Sequence, residues 1–87
     1  MTIPEIIERL EKEKNNMRFA VLLAICREHF GGDRKKGSHH IFKTPWMGDP
    51  RLNLQADKGK AKPYQVEQVI AALSRLSAQE TEKPGPQ

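Results

Sequence analysis

The sequence predicts an α+β domain in which helices lie on one face of a small antiparallel sheet of two or three strands. Apolar residues recur at helical spacing near both ends of the chain. The middle instead contains short alternating runs that are interrupted by proline and glycine. With 87 residues, the chain can form one domain with a single modest core.

The chain opens with a signature typical of a helix start. Thr2 can cap the helix, Pro4 suits its first turn, and Glu5 completes a capping box. We expect this helix to end near Asn16. Residues 1–16 therefore form a helix that is additional to the domain that follows.

A second helix is predicted after Asn16, which is placed to cap it. Its apolar stripe includes Leu22, Cys26 and Phe30, and the glycine pair that starts at Gly31 stops it. Cys26 is the only cysteine, so the chain cannot form an internal disulfide, which agrees with a reducing compartment. We expect Cys26 to be a small core residue.

Short strands are predicted in the middle of the chain. Residues 39–43 and 51–55 partly alternate between apolar and polar side chains, and the loop between them contains two prolines and a glycine. These runs predict an antiparallel hairpin with a long connection. Residues 34–37 are expected to add a brief edge strand.

A final helix is predicted to begin at or near Pro63, with a stripe of apolar residues at helical spacing. That stripe is Val66, Val69, Ile70, Leu73 and Leu76. The polar residues from Ala78 onward, with two prolines and a glycine, predict a disordered tail. The chain is thus divided into the additional helix (1–16), an α-β-β-β-α domain (17–77) and the tail (78–87).

No stretch of the sequence resembles a membrane span or a signal peptide. The longest apolar run, residues 19–26, is far shorter than the roughly 20 residues that a spanning helix needs. We therefore expect a cytoplasmic protein with no membrane partner.

The positive charge is concentrated in one part of the chain. Residues 34–62 contain eight basic and two acidic residues, a net charge of +6, whereas the rest of the chain carries −2. Such concentration favours a polyanion, usually nucleic acid, as a partner. From charge alone, a solvated lysine-rich face without a ligand is an equally good interpretation.

Two adjacent histidines, His39 and His40, open the predicted strand within this basic segment. Successive strand residues point to opposite faces, so the two rings should not act on one phosphate. A histidine among lysines can serve as a base that removes the proton of an RNA 2′-hydroxyl, while the lysines stabilise charge on the phosphate. Alternation alone leaves open which histidine faces the open side of the sheet.

The motif Gly37-Ser38-His39 at the start of a strand, followed by Ile41-Phe42-Lys43, with Lys62-Pro63 entering the last helix, resembles the HicA toxin family of HicAB toxin–antitoxin systems. The resemblance covers roughly residues 18–76. It implies a fold like the double-stranded RNA-binding domain and cofactor-independent, metal-independent endoribonuclease activity on messenger RNA. It also implies a HicB-like antitoxin as partner, and leaves the oligomeric state open.

The resemblance implies His39 as the catalytic histidine, because His39 closes the Gly-Ser-His motif. The chain departs from the family pattern at His40, which makes that residue a secondary candidate, and in the additional helix of residues 1–16. That helix could brace the core, promote oligomerisation or alter the antitoxin interface.

Further residues are expected to contact RNA around the histidine. Ser38 could donate to a phosphate oxygen, although a turn residue is the preferred interpretation, and the lysines before the last helix form a candidate phosphate clamp. Trp46 could stack on a base or anchor its loop, whereas Tyr64 is expected to pack. The full set of RNA-binding candidates is Lys35, Lys36, Ser38, Lys43, Lys58, Lys60 and Lys62, with Trp46 as a possible secondary contact.

The sequence offers a nominal set of zinc ligands but does not favour a zinc site. Cys26 and His29 lie three residues apart on one predicted helix, and the two strand histidines could complete a nominal ligand set. Adjacent strand residues diverge, however, and Cys26 belongs to the core stripe, so no metal site is expected. His29 is more simply a helix C-terminal residue.

Two alternatives to a nuclease stay open at this point. One is a non-catalytic RNA-binding module of the same fold, and the other is a protein-interaction partner whose basic face docks an acidic protein.

Overall fold

A computed structural model describes residues 2–46 and 51–82. In chain order it contains helices α1 (Ile3–Glu13) and α2 (Phe19–Phe30), strands β1 (Arg34–Lys36), β2 (His39–Phe42) and β3 (Leu52–Gln55), and helix α3 (Pro63–Glu82). The strands form one antiparallel sheet in the order β1-β2-β3. The predicted α+β class is confirmed, with three strands. Within the described ranges, no helix has the length and hydropathy that crossing a membrane requires.

The helix boundaries follow local capping chemistry. Thr2 and Glu5 form the predicted capping box, in which the Thr2 hydroxyl accepts from the Glu5 backbone N–H. At the other end of the helical region, Gly31 terminates α2 with a φ of 87°, a conformation that side chains disfavour. Its N–H donates to the Arg27 carbonyl at 3.2 Å.

Asn16 does not cap α2, contrary to the prediction. The N-cap residue is Arg18, and its side chain makes no capping hydrogen bond. Asn16 Oδ1 instead accepts from Lys60 Nζ at 2.5 Å, and the Ala61 N–H donates to the Met17 carbonyl at 2.9 Å. The loop before α3 therefore lies at the junction between α1 and α2. Its Lys60 binds the Asn16 side chain, which was expected to cap α2.

The core lies between one face of the sheet and the helices. Phe42, Leu52 and Leu54 supply the sheet side, and α1 contributes Ile6 and Leu10. Because α1 packs against α3 and buries both residues, its position fits the bracing of the core, one of the three roles predicted for it. The other buried apolar residues are Met17, Phe19, Leu22, Cys26, Trp46, Ala61, Val66, Val69, Ala72 and Leu73.

Helix α3 is longer than predicted. It continues to Glu82, so the disordered tail predicted from Ala78 is wrong for residues 78–82. Alanine, glutamine and glutamate in this stretch are good helix formers, and the first proline comes only at Pro84. The remainder of the predicted tail, residues 83–87, lies outside the described residues.

Candidate functional site

A two-residue turn sets the start of β2. Lys36 pairs with His39 across the turn, and Gly37 has a φ of 61°. Glycine with a positive φ at the first turn position is typical of a type II′ hairpin, which suits the twist of the strands. Ser38 is the second residue of this turn, and its Oγ accepts from Gln55 Nε2 at 2.9 Å. Its role as a donor to a phosphate oxygen stays a prediction.

The two histidines lie on opposite faces of the sheet, as predicted. His39 is exposed on the open face, whereas the His40 side chain is only 14% exposed on the face that the helices cover. His40 Nδ1 donates to Asp33 Oδ2 at 2.6 Å, and its ring centroid lies 5.4 Å from that of Phe19. Only His39 is therefore placed to meet a ligand on the open face.

Asn53 fixes the orientation of the His39 ring. His39 Nδ1 lies 2.8 Å from Asn53 Oδ1. Since a carbonyl oxygen only accepts, Nδ1 carries the hydrogen and Nε2 of the neutral ring is left as an acceptor. Nothing in the sequence motif marked Asn53. Its signal was the alternation of β3, in which Asn53 lies between buried Leu52 and Leu54 and hence on the face of His39.

The strand register divides the basic residues of the hairpin between the two faces. Lys36 lies opposite His39 and shares its face, whereas Lys35 lies opposite His40. Lys43 is exposed directly after β2. Of the two β1 lysines proposed to bind RNA, Lys36 is thus the one on the open face.

The loop before α3 starts at the end of the sheet where His39 lies, because Gln55, the last residue of β3, pairs with His39. This loop contains the three remaining lysines. Lys58 and Lys60 are exposed, and Lys62 is half-buried. Lys60 Nζ bonds Asn16, which holds that ammonium toward the helix junction. Their role as a phosphate clamp stays a prediction.

A groove of about 490 Å³ runs along the outer edge of β3, between β3 and α3. We call it the β3/α3 groove. His39, Asn53 and Gln55 line its sheet side, and Tyr64 and Gln65 line its helix side. His39 thus faces a concave surface that sequence patterns did not reveal, since it depends on how α3 is placed beside the sheet.

Two aromatic residues that line the groove differ in exposure: Trp46 is buried and Tyr64 is exposed. Trp46 is 9% exposed, its ring meets that of Phe30 edge to face at 6.4 Å, and the Arg75 guanidinium lies 4.6 Å from its centroid. Trp46 therefore anchors its loop, the second of its two predicted roles. Tyr64, which was predicted to pack, is instead 54% exposed, so that prediction is wrong. Its place in the first turn of α3, at the groove rim, leaves the ring uncovered.

On the face of the sheet that the helices cover, the Asp33 side chain links α2 to β2. Its carboxylate accepts from Arg27 Nε at 2.7 Å and from His40 Nδ1 at 2.6 Å. The Arg27 guanidinium, and after it the His40 ring, hold the pKa of the Asp33 carboxyl well below its usual range. Asp33 is therefore a carboxylate at neutral pH, held against the sheet by its two hydrogen-bond donors.

This pKa shift predicts acid sensitivity. A carboxyl whose pKa is lower in the folded state stabilises the fold above its unfolded pKa of about 4, and that contribution is lost as the pH falls. We expect Asp33→Asn to lower the Tm at pH 7 and to flatten the fall of Tm below about pH 4. Circular dichroism melts across this range measure both effects. Asp57→Asn, at an exposed turn, serves as the control, and parallel pH curves for wild type and Asp33→Asn would contradict the prediction.

The nominal zinc ligands are not brought together. Cys26 is fully buried in the core, and burial raises the pKa of its thiol to about 12, so the thiol stays protonated at neutral pH. His29 lies in the last turn of α2, as predicted. In residues 2–46 and 51–82, no three His, Cys, Asp or Glu side chains are grouped as a metal ion would require.

Comparisons of the chain with family models, with curated proteins and with solved structures found no match.

Proposed function

We propose that the chain is a HicA-like toxin, an endoribonuclease that cuts messenger RNA without a metal ion and is neutralised by a HicB-like antitoxin. The observation that carries the proposal is the His39 ring, which is exposed on the open face of the sheet with Nδ1 held by Asn53. The helix, three antiparallel strands and helix that follow α1 are compatible with a fold like the double-stranded RNA-binding domain.

The proposed chemistry uses His39 as the general base. Its Nε2 takes the proton of a 2′-hydroxyl, O2′ bonds to the adjacent phosphorus, and the bond from phosphorus to O5′ breaks, with a solvent proton going to O5′. The products are a 2′,3′-cyclic phosphate and a 5′-hydroxyl. Lys36, beside His39 on the same face, stabilises the negative charge that grows on the phosphate oxygens.

The experiment compares two matched oligoribonucleotides in the presence of a chelator, one fully ribose and one with a 2′-deoxy sugar at the cut position. We expect the first to be cleaved to a cyclic phosphate and the second to stay intact, because it lacks the attacking oxygen. RNA that binds with steep salt dependence but is never cut would favour the non-catalytic RNA-binding module. Absence of RNA binding at low salt would favour a protein-interaction partner.

A further inference from the structure

The β3/α3 groove has the chemistry of a base-binding site. Amide side chains dominate its polar wall: Asn53 and Gln55 on the strand, and Gln65 and Gln68 on the helix. An amide group carries both a donor and an acceptor, as the edge of a nucleobase does. Asn53 Oδ1, Gln55 Nε2 and both ends of the Gln65 amide are already hydrogen-bonded within the protein, which leaves Gln68 as the amide placed to read a base. None of the described residues that line the groove is acidic, so a nearby phosphate meets no repulsion from them. The volume of about 490 Å³ lies within the usual range of small-ligand sites, about 300–1,000 Å³.

Tyr64 is held at the rim of this groove in an exposed position. Gln65 is 3% exposed, and its Nε2 donates to the Tyr64 hydroxyl at 3.3 Å. The tyrosine is 54% exposed, so a large aromatic ring remains open to solvent beside the amide wall. Aromatic rings in this setting stack on unpaired bases.

The indole of Trp46 gives a second, independent indication of a binding site. Its indole Nε1–H is buried and has no hydrogen-bond partner among the described residues, and Trp46 lines the groove. A buried donor without a partner is costly, and a ligand with acceptor groups would relieve that cost.

From these features we propose that the β3/α3 groove holds the base of one unpaired nucleotide next to the scissile phosphate. The Tyr64 ring stacks on the base, and Gln68 contributes to reading its edge. This inference rests on the proposed nuclease function, because His39 lines the same groove and would place the base beside the reacting sugar. A paired base could not enter a cleft between strand and helix, so the substrate at this position is single-stranded.

An added peptide strand on β3 is the competing occupant, and the structure disfavours it. Strand addition needs the outward backbone groups of an edge strand. The outward N–H of Gln55 is already capped by Gln65 Oε1 at 3.3 Å. The Gln65 side chain therefore occupies a backbone donor of β3 that an added peptide strand would need, while the groove beside β3 stays open.

The test uses the four nucleoside 3′-monophosphates as probes, so that binding is measured without cleavage. The chain has one tryptophan, and its indole N–H gives a single NMR resonance at the groove. We expect saturable shifts of this resonance, with a Kd that differs among the four bases. Tyr64→Ala should raise the Kd about 5- to 100-fold, whereas Tyr64→Phe, which keeps the ring but loses the hydrogen bond from Gln65, should raise the Kd clearly less.

Two glutamines of α3 provide a matched pair. Gln68 lines the groove, whereas Gln79 is exposed on the same helix outside it. Gln68→Ala should change the ratio of Kd values among the bases about 2- to 10-fold, and Gln79→Ala should leave every Kd unchanged.

Several outcomes would overturn the inference while leaving the nuclease standing. The first is RNA cleavage by a protein whose indole resonance no nucleotide shifts. The second is an equal shift with inorganic phosphate, which would show a phosphate site without base recognition. The third is a shift caused by an extended peptide alone, which would show strand addition. Base-selective shifts in a protein that never cuts RNA would instead support the groove and contradict the nuclease.

Discussion

Replacing His39 with alanine is expected to abolish RNA cleavage and growth arrest while leaving the fold intact. Loss of a general base typically lowers the rate about 10²- to 10⁴-fold. His39 is exposed and its side-chain hydrogen bond is to Asn53, so we expect the free energy of unfolding to change by less than about 0.5 kcal/mol. Single-turnover cleavage of a labelled oligoribonucleotide and induced expression in cells measure the two losses.

His40→Ala is the matched control, since it removes the neighbouring imidazole on the opposite face. That variant loses the hydrogen bond to Asp33 and the packing on Phe19, so we expect lower stability with cleavage retained below its Tm. Unchanged toxicity of the His39 variant would refute the proposed mechanism. Loss of cleavage in the folded His40 variant alone would transfer the base role to His40.

Much of the fold could be predicted because the signals are local. The capping box at Thr2 and Glu5, the glycine at position 31 and the helix start at Pro63 each act within one turn of a helix. Asn16 shows the limit of such reasoning. It has the right residue type for a cap, but a lysine 44 residues away takes its side-chain oxygen. Distant contacts of this kind are invisible to local patterns.

The site could be predicted only in part for a similar reason. Strand alternation gives opposite faces to His39 and His40, but only the packing of the helices against Phe42 and Leu54, which share the face of His40, decides which face is covered. Asn53 reaches His39 through a register that spans the long loop between β2 and β3. Tyr64 and the groove depend on the placement of α3 beside β3, which the periodicity of α3 does not specify.

Leu10→Ala is expected to cause the largest loss of stability among substitutions in α1, because this side chain is fully buried between α1 and the rest of the core. Truncating a buried leucine typically costs about 2–5 kcal/mol, a large fraction of the stability of a small domain. For a chain of this size, such a cost lowers the Tm by at least about 8 °C. Thermal melts followed by circular dichroism measure the shift.

The same substitution separates the three roles left open for the additional helix. Ile7→Ala, one turn earlier at a half-buried position, is the control, and we expect a clearly smaller fall in Tm. A large effect of Leu10→Ala on a monomeric protein, at a Tm independent of protein concentration, follows from bracing of the core, because α1 then unfolds together with α3. A Tm that rises with concentration would point to oligomerisation, since mass action stabilises an associated state. An unchanged Tm in the Leu10 variant would contradict bracing altogether and leave α1 as a surface for other partners.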